Sequence, residues 1–308
     1  MIEADDIADA DLDADMRRIA NLALWRGGIR LEILPGGLSN RNFIVRDGED
    51  AYVARLVGGD DAAHGIVRAR EIAVSRAAHR AGIAPELVHA EPGLLVLRLV
   101  AGRTLTAPEV ADPAMLRRIA ALLRRCHGEV AAHLRGPAPC FWVFHALRDY
   151  LAALAGHGMP GGRIERLRDI AEALEAAVGP TRLTLTHNDL MPGNLIDDGE
   201  KLWLIDWEYG GFGAPLFDLA SLVVDNALDA AAQETLLAAY FRRAPSASLR
   251  RRFAAMILAA DLREALWARV QQIDPKLDFD YAGYAAEYEA RFESGFAAFA
   301  LRARREPH

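Results

Sequence analysis

Cysteine is scarce in this 308-residue chain, which contains only Cys126 and Cys140. Two cysteines do not form a disulfide framework, and no Cys/His cluster has the spacing of a zinc site. We expect both to be buried thiols in a reducing compartment, which predicts a cytoplasmic protein. The sequence also lacks any run of about 18 apolar residues, the length that a membrane-spanning helix requires. Its acidic beginning lacks the apolar segment of a signal peptide, so we expect no membrane insertion.

Lysine is almost absent as well, because Lys201 and Lys276 are the only two in the chain. Any role that needs a basic side chain before residue 201 must therefore fall to arginine. The formal net charge is -7 and the sequence pI is about 5.7. An acidic chain is a poor match for nucleic acid and is compatible with a cationic small molecule. A homodimer is compatible with the sequence, but no pattern in it indicates one.

Oxygen-bearing side chains are concentrated between residues 184 and 218. Short apolar runs, which are typical of buried strands, precede two groups of them. Asp197-Asp198-Gly199 lies between the two groups and predicts a turn. The stretch is therefore predicted to form a loop, a strand, a turn and a second strand, with polar groups at the strand ends. These polar groups are Asp189, Asn194, Asp206 and Glu208.

Carboxylates and an amide in this order suit phosphoryl transfer from a nucleotide. That reaction needs Mg²⁺ held by a few oxygen ligands, while the phosphates supply the rest. It also needs a carboxylate that orients the attacking hydroxyl. Taken singly, each of these residues is an ordinary turn or cap residue. Taken together they favour catalysis, with ATP and Mg²⁺ as the expected cofactors.

The motif HND-x4-N followed by IDWE resembles the catalytic loop and metal-binding segment of the protein-kinase-like fold, and most closely those of the choline/ethanolamine kinase family. The resemblance implies that Asp189 is the catalytic carboxylate. It implies that Asn194 and Asp206 act with it and hold Mg²⁺, and that Glu208 reaches a second Mg²⁺ or its water. It also implies an α+β bilobal fold, with a small five-stranded antiparallel N-lobe carrying one helix and a larger, mainly helical C-lobe.

Three regions follow from this interpretation. We expect an accessory N-terminal helix at residues 1–27, a nucleotide-covering N-lobe at 28–100 and a catalytic, substrate-binding C-lobe at 101–308. Alternating apolar residues and turn signals predict the N-lobe strands and the helix between them. The predicted strands are Ile29–Leu34, Asn42–Val45, Tyr52–Val57, Glu86–Ala90 and Leu94–Val100, and the predicted helix is His64–Arg80.

Several N-lobe residues are candidates for nucleotide binding. The turn GGLSN resembles a family turn whose Ser39 and Asn40 would face phosphate, although a plain hairpin turn has the same composition. Arg55 stands on the third strand where kinases usually carry lysine, and its fixed fork of donors suits phosphate. By resemblance Glu71 pairs with Arg55; alternatively it forms a surface pair within its own helix. Val100 would lie at the hinge, where adenine bonds to backbone groups.

Asp218 follows the metal segment and is expected to cap a helix over Leu219–Leu228, since aspartate oxygens satisfy free N–H groups at helix starts. The resemblance also implies that Asp218 braces the catalytic loop. His127 ends the apolar stripe of an earlier helix. We interpret it as a hydrogen-bonded core residue.

The acceptor pocket is predicted from aromatic and acidic residues near the C-terminus. A quaternary ammonium has no N–H, so proteins bind it with aromatic faces and nearby carboxylates. Choline kinases carry a W-x-x-W helix followed by Y-x-x-Y; Trp267, Tyr281 and Tyr284 match, and Glu264 replaces the first Trp. Aromatic stripes at helical spacing are alternatively core. The full set of expected substrate residues is Asp189, Glu208, Tyr209, Glu264, Trp267, Tyr281 and Tyr284, with Asp225 as a further nearby charge.

The sequence therefore predicts an ATP-dependent small-molecule kinase that transfers the γ-phosphate to the hydroxyl of choline or a similar amino alcohol such as ethanolamine. A thiamine or aminoglycoside phosphotransferase of the same superfamily is the alternative among enzymes. An inactive nucleotide-binding module is the alternative of another class. The expected partner is a small cationic alcohol.

Overall fold

The computed structural model describes residues 4–34, 40–57, 68–275 and 279–305. The strands of these ranges are β1 Arg30–Leu34, β2 Asn40–Asp47, β3 Asp50–Val57, β4 Leu87–Glu91, β5 Leu94–Arg98, β6 Arg103–Thr104, β7 Thr184–Thr186, β8 Leu195–Asp197, β9 Leu202–Leu204 and β10 Gly211–Gly213. The helices are α1 Ala4–Ala20, α2 Arg68–Arg80, α3 Ala107–Val110, α4 Pro113–His133, α5 Val143–Gly156, α6 Gly161–Val178, α7 Pro215–Asp225, α8 Ala230–Phe241, α9 Ala247–Gln271 and α10 Tyr281–Arg305. The predicted α+β bilobal fold is confirmed.

The N-lobe is a five-stranded antiparallel sheet in the order β1-β2-β3-β5-β4. One face of the sheet packs into an apolar cluster with Phe43, Val45 and Ala54. Helix α1 covers this face, and its Ile19 is fully buried there. An ion pair between Arg18 of α1 and Glu91 of β4, at 2.9 Å, adds a polar tie. The N-terminal helix therefore packs on its own lobe.

The opposite face of the sheet carries Arg55. Side chains alternate between the two faces of a strand, so Arg55 points away from its neighbours Ala54 and Leu56, which lie in the α1-facing cluster. In the β3–β5 register Arg55 stands opposite Leu95. Helix α2 supplies Glu71 to this side of the lobe. Alternation thus places Arg55 on the face of the sheet opposite α1.

The C-lobe is mainly helical and is centred on α9, which packs against α5, α6, α7 and α10. Two small sheets, β6-β8-β9 and β7-β10, hold the catalytic segments on top of these helices. The predicted turn between β8 and β9 is confirmed. Asp198 accepts hydrogen bonds there from the backbone N–H groups of Glu200 and Lys201, at 2.9 and 2.8 Å. The catalytic segments are therefore positioned by two small sheets and a hydrogen-bonded turn.

The structure corrects two sequence expectations. Cys126 is buried as expected, but Cys140 is exposed, because it lies in the irregular segment before α5, where its backbone bridges to Phe212. Strand β5 ends at Arg98, which leaves Val100 in the connection between the lobes.

Within the described ranges, none of the helices is both long and apolar enough to cross a membrane.

Candidate active site

The catalytic loop follows β7 and places Asp189 beside Asn194. A short 3-10 turn, Pro192–Asn194, folds the chain back so that the Asn194 amide reaches Asp189. Its Nδ2 donates to the Asp189 backbone oxygen at 3.0 Å and to the carboxylate Oδ2 at 2.9 Å. The asparagine therefore fixes the orientation of the carboxylate, and the two predicted catalytic residues are brought together.

Burial is the largest influence on the Asp189 carboxyl, and it raises the pKa of that group. The neighbouring Asp206 raises the pKa further, while His187 and Arg263 lower it. A carboxylate of raised pKa is a better proton acceptor than an exposed one. The position of Asp189 thus suits a group that receives or orients a hydroxyl proton.

Asp218 holds the catalytic loop in place from below. Its carboxylate accepts the backbone N–H groups of His187 and Asn188, at 2.9 and 2.7 Å, and a bond of 2.8 Å joins it to His127 Nε2. The expected N-cap role is wrong. Pro215 starts α7 three residues earlier, so Asp218 lies inside the first turn and bonds to the loop instead. The bracing role implied by the resemblance is confirmed, and His127 is a hydrogen-bonded core residue as expected.

Replacing Asp218 by alanine is expected to destabilise the protein by about 3 kcal/mol or more, because each buried donor left without a partner costs about 1–3 kcal/mol. The catalytic loop should lose order, so kcat should fall as well. Urea unfolding and steady-state kinetics measure the two effects. The matched control is Asp229→Ala, which removes an exposed helix cap that accepts from Ala232 N at 2.8 Å. The control should cost about 1 kcal/mol and leave kcat unchanged.

The metal segment follows β9 and meets Arg55 across the lobes. Asp206 has a left-handed backbone, with φ of 63°, which turns its carboxylate toward the N-lobe. Arg55 Nη1 donates to Asp206 Oδ1 at 2.7 Å and to Glu71 Oε1 at 3.3 Å, and Nη2 donates to Glu208 Oε2 at 3.0 Å. The predicted Arg55–Glu71 pair is confirmed. Glu71 is 2% exposed, so it is not a surface pair.

Charge balance in this cluster depends on the guanidinium. Burial by itself lowers the pKa of Arg55, but Asp206, Glu71 and Glu208 outweigh it and raise that pKa. Burial, followed by the neighbouring Asp206, raises the pKa of Glu208 to about 8, while Arg55 opposes the rise. Among the described residues, Arg55 therefore brings a permanent positive charge to three carboxyl groups, of which those of Glu71 and Glu208 are nearly buried and that of Asp206 is 29% exposed.

The donor set fits Mg²⁺. Asp206 and Glu208 converge on one guanidinium, so their oxygens already point to a common position that a cation occupies. Asn194 uses its Nδ2 toward Asp189, which leaves its amide oxygen as the atom for coordination. Carboxylate and amide oxygens are the ligands that Mg²⁺ takes in proteins, with phosphate and water completing the shell.

The predicted acceptor residues lie on α9, α10 and the metal segment. Tyr284 donates its hydroxyl to Glu264 Oε2 at 3.0 Å, and Trp267 meets Tyr284 edge to face at 6.0 Å. Tyr281 is 5% exposed and packs against Trp267, inside a small apolar cluster. Tyr209 stands apart from this aromatic group among the contacts of the described residues. The structure therefore joins Glu264, Trp267 and Tyr284, and it places Tyr281 in their support.

Arg263 was not among the predicted site residues. Its Nη1 donates to the Glu264 carboxylate, and its guanidinium carbon lies 6.0 Å from the centre of the Tyr209 ring. It also lowers the pKa of Asp189. Its Nε is buried without a hydrogen-bond partner among the described residues. The available signal was its position directly before Glu264, a predicted site residue, in the middle of α9.

Asp225 is the second buried acid on this side. Burial, followed by the neighbouring Glu264, raises the pKa of Asp225 well above its ordinary range. One of its oxygens accepts the Ser221 hydroxyl at 2.7 Å. The electrostatic influence of Asp189 on Asp225 links this acid to the catalytic loop.

Two of the nucleotide candidates cannot be placed by their side chains. Ser39 lies outside the described residues. Asn40 opens β2 and pairs with Val57 through the backbone, and the structure describes no more of it. Their phosphate-facing role stays a prediction, as does the role of Val100 at the adenine.

The chain matches the model of the phosphotransferase enzyme family over residues 30–256, and it belongs to that family. The resemblance to choline/ethanolamine kinases is also confirmed by individual relatives. Protein LicA of Haemophilus influenzae is 27% identical over 211 residues, which cover 67% of this chain and 61% of that protein. The match thus spans about three-fifths of that relative's length. Ethanolamine kinase 2 of Mus musculus is 26% identical over 318 residues, which cover 92% of this chain and 80% of that protein.

Comparison with solved structures agrees with the comparison of sequences. A crystal structure of a choline/ethanolamine kinase family protein from Mesorhizobium loti superimposes with a TM-score of 0.77 at 29% identity. The superposition covers 94% of this chain and 99% of that one. The bilobal architecture is therefore shared over nearly the whole length of both proteins.

Proposed function

We propose that this protein is an ATP-dependent kinase that transfers the γ-phosphoryl group to the hydroxyl of a small amino alcohol of the choline or ethanolamine type. The observation that carries the proposal is that two pairs of polar residues lie side by side. Asp189 and Asn194 are hydrogen-bonded on one loop, and Asp206 and Glu208 converge on Arg55 beside them. Membership of the phosphotransferase enzyme family supports it.

Asp189 would accept or orient the proton of the acceptor hydroxyl. Because the transition state of phosphoryl transfer is loose, placing the hydroxyl in line matters more than the basicity of the carboxylate. The Asn194 amide holds that carboxylate in one orientation. The backbone bonds from Asp218 hold the loop that carries both.

Asn194, Asp206 and Glu208 would hold Mg²⁺, with Asp206 as the main ligand. The bound metal would supply charge neutralisation at the phosphate oxygens. Arg55 carries a permanent charge at the same place and would add donors for phosphate. Glu71 keeps the guanidinium at this position through their buried ion pair.

The acceptor would lie between the catalytic loop and helix α9. Glu264 supplies a carboxylate there and Asp225 a second carboxyl group that can accept hydrogen bonds, which suits a cationic alcohol. Trp267 and Tyr284 supply aromatic surface. The relatives named above as an ethanolamine kinase and a choline/ethanolamine kinase family protein support this class of acceptor. As an ATP-dependent enzyme, the protein would work in the cytoplasm.

ADP release from ATP tests the proposal, with choline, ethanolamine, thiamine and kanamycin offered separately. We expect release with an amino alcohol, and we expect it to require Mg²⁺ and to stop when EDTA removes the metal. Release only with thiamine or kanamycin would keep the fold and the catalytic residues but overturn the acceptor class. A protein that binds MgATP yet releases no ADP with any acceptor would be a nucleotide-binding module.

A further inference from the structure

A nearly buried Arg–Glu pair lies in the acceptor region, formed by two consecutive residues of α9. The side chains of Arg263 and Glu264 are each 12% exposed. Arg263 Nη1 donates to Oε1 of Glu264, and the Tyr284 hydroxyl donates to Oε2 at 3.0 Å. Both oxygens of this carboxylate thus have one fixed protein donor. The group is held in a single orientation.

The aromatic faces near this pair are already engaged. The guanidinium of Arg263 lies 6.0 Å from the centre of the Tyr209 ring, so a protein cation stands over that face. Trp267 meets Tyr281 and Tyr284 edge to face, at 5.8 and 6.0 Å between ring centres. A quaternary ammonium is recognised mainly by open aromatic faces. Such faces are thus already partly covered by protein groups among the described residues here.

Hydrogen-bond acceptors, by contrast, remain available. A carboxylate has about four lone-pair positions, of which Arg263 and Tyr284 use two on Glu264. Asp225 adds a second carboxyl group, with one bond to Ser221. Donors that carry charge form the stronger hydrogen bonds with such groups. An ammonium with N–H bonds can therefore be bound directionally at this place.

Arg263 also affects which kind of cation binds to Glu264 most strongly. Its charge balances that of Glu264, so the non-directional attraction of the carboxylate for any cation is reduced. Hydrogen bonding to the Glu264 carboxylate, which only a cation with an N–H donor can form, is retained. A site built around hydrogen bonds rejects an analogue that lacks the matching group more strongly than an apolar site rejects a change of size.

We propose, building on the function proposed above, that Arg263 and Glu264 make this pocket selective for amino alcohols whose ammonium carries N–H groups over those with a quaternary ammonium. Glu264 is the acceptor for the substrate N–H. Arg263 keeps the carboxylate in place and covers the Tyr209 face. Both are specificity-determining residues for the acceptor.

A methylation series tests this selectivity on the 308-residue chain. The acceptors are 2-aminoethanol and its N-methyl, N,N-dimethyl and N,N,N-trimethyl forms, which share the same hydroxyl and differ by one N–H at each step. We expect kcat/KM to fall along the series, by about tenfold or more from the primary to the quaternary amine. Calorimetric affinities of the same four compounds, measured without turnover, should fall in the same order. A quaternary compound that binds and reacts as well as the primary one would overturn the proposal.

Glu264→Gln tests whether the selectivity comes from hydrogen bonding to the charged carboxylate or from the shape of the side chain. The amide keeps the size but loses the charge and has one acceptor oxygen for the two donors Arg263 and Tyr284, so the primary amine should lose about tenfold in kcat/KM while the quaternary one changes less than about threefold. The matched control is Glu234→Gln, which breaks an exposed Arg–Glu pair that ends on the same helix at Arg250. The control should leave the series unchanged. An equal loss for all four acceptors in Glu264→Gln would contradict the assignment.

The two proposals fail differently. If none of the four compounds supports ADP release, the proposed function fails on turnover. The affinities then still decide the inference: an order that follows the number of N–H groups supports it, and equal or reversed affinities contradict it.

Discussion

Replacement of Asp189 by alanine is expected to lower kcat by about a thousandfold or more, within the range that removal of a positioned acid–base group produces. The carboxylate is fixed by Asn194 on a loop that Asp218 holds from below. No neighbouring group of the described loop is placed to take over its position. Nucleotide binding should survive, because Asp206, Glu208 and Arg55 lie outside the altered side chain. ADP release measures the first effect, and calorimetric titration with MgATP measures the second.

The matched control for this substitution is Asp149→Ala. Asp149 is an exposed aspartate on α5, with its side chain 66% exposed and paired with His145. The same chemical change there should leave both kcat and nucleotide affinity within about twofold of wild type, because exposed ion pairs contribute little. A variant of Asp189 that retains turnover within tenfold of wild type would remove the residue from the mechanism. Loss of MgATP binding in that variant would instead show that it supports the metal segment.

The proximity of the candidate catalytic residues could be predicted because they lie close together in the chain. Asp189 and Asn194 are five positions apart, and a tight turn is the only local geometry that the intervening Pro192-Gly193 favours. Asp206 follows a short apolar strand, so its place at a strand end follows from the pattern. The Arg55–Glu71 pair was expected from the family resemblance, and strand alternation agrees with it, since it directs Arg55 away from the core that its neighbours enter.

The acceptor pocket was less accessible to sequence reasoning. Successive residues on a helix point about 100° apart, so Glu264 gives no indication that Arg263 faces the same space. That depends on how α9 is set between α7 and α10, which long-range packing decides. The role of Asp218 was half predicted for a related reason. Its sequence position suggests a cap, but Pro215 fixes an earlier helix start, and only the folded loop reveals the donors that it meets.

Arg55→Met is expected to be the most disruptive single change in the N-lobe. The methionine removes a guanidinium that contacts Glu71, Asp206 and Glu208, whose oxygens lie 2.7 to 3.3 Å from it. Removing one partner from a buried ion-pair network costs about 3–5 kcal/mol, because the remaining charges stay out of water. The same change would withdraw the donors that we propose for the nucleotide phosphates, so KM for ATP should rise and kcat should fall. Urea unfolding and ATP kinetics check the two effects.

Two further variants show whether the cost comes from uncompensated charge. Adding Glu71→Gln to Arg55→Met removes the charge of one carboxylate that Arg55 contacts and should recover part of the lost stability, whereas ATP kinetics should stay poor. Arg250→Met is the matched control, since it breaks an arginine pair whose side chains are 49% and 45% exposed, and it should cost about 1 kcal/mol or less. If Arg55→Met unfolds like the control, the guanidinium does not balance the cluster. If stability falls but ATP kinetics do not change, Arg55 only stabilises the contact between the lobes, and other groups bind the phosphates.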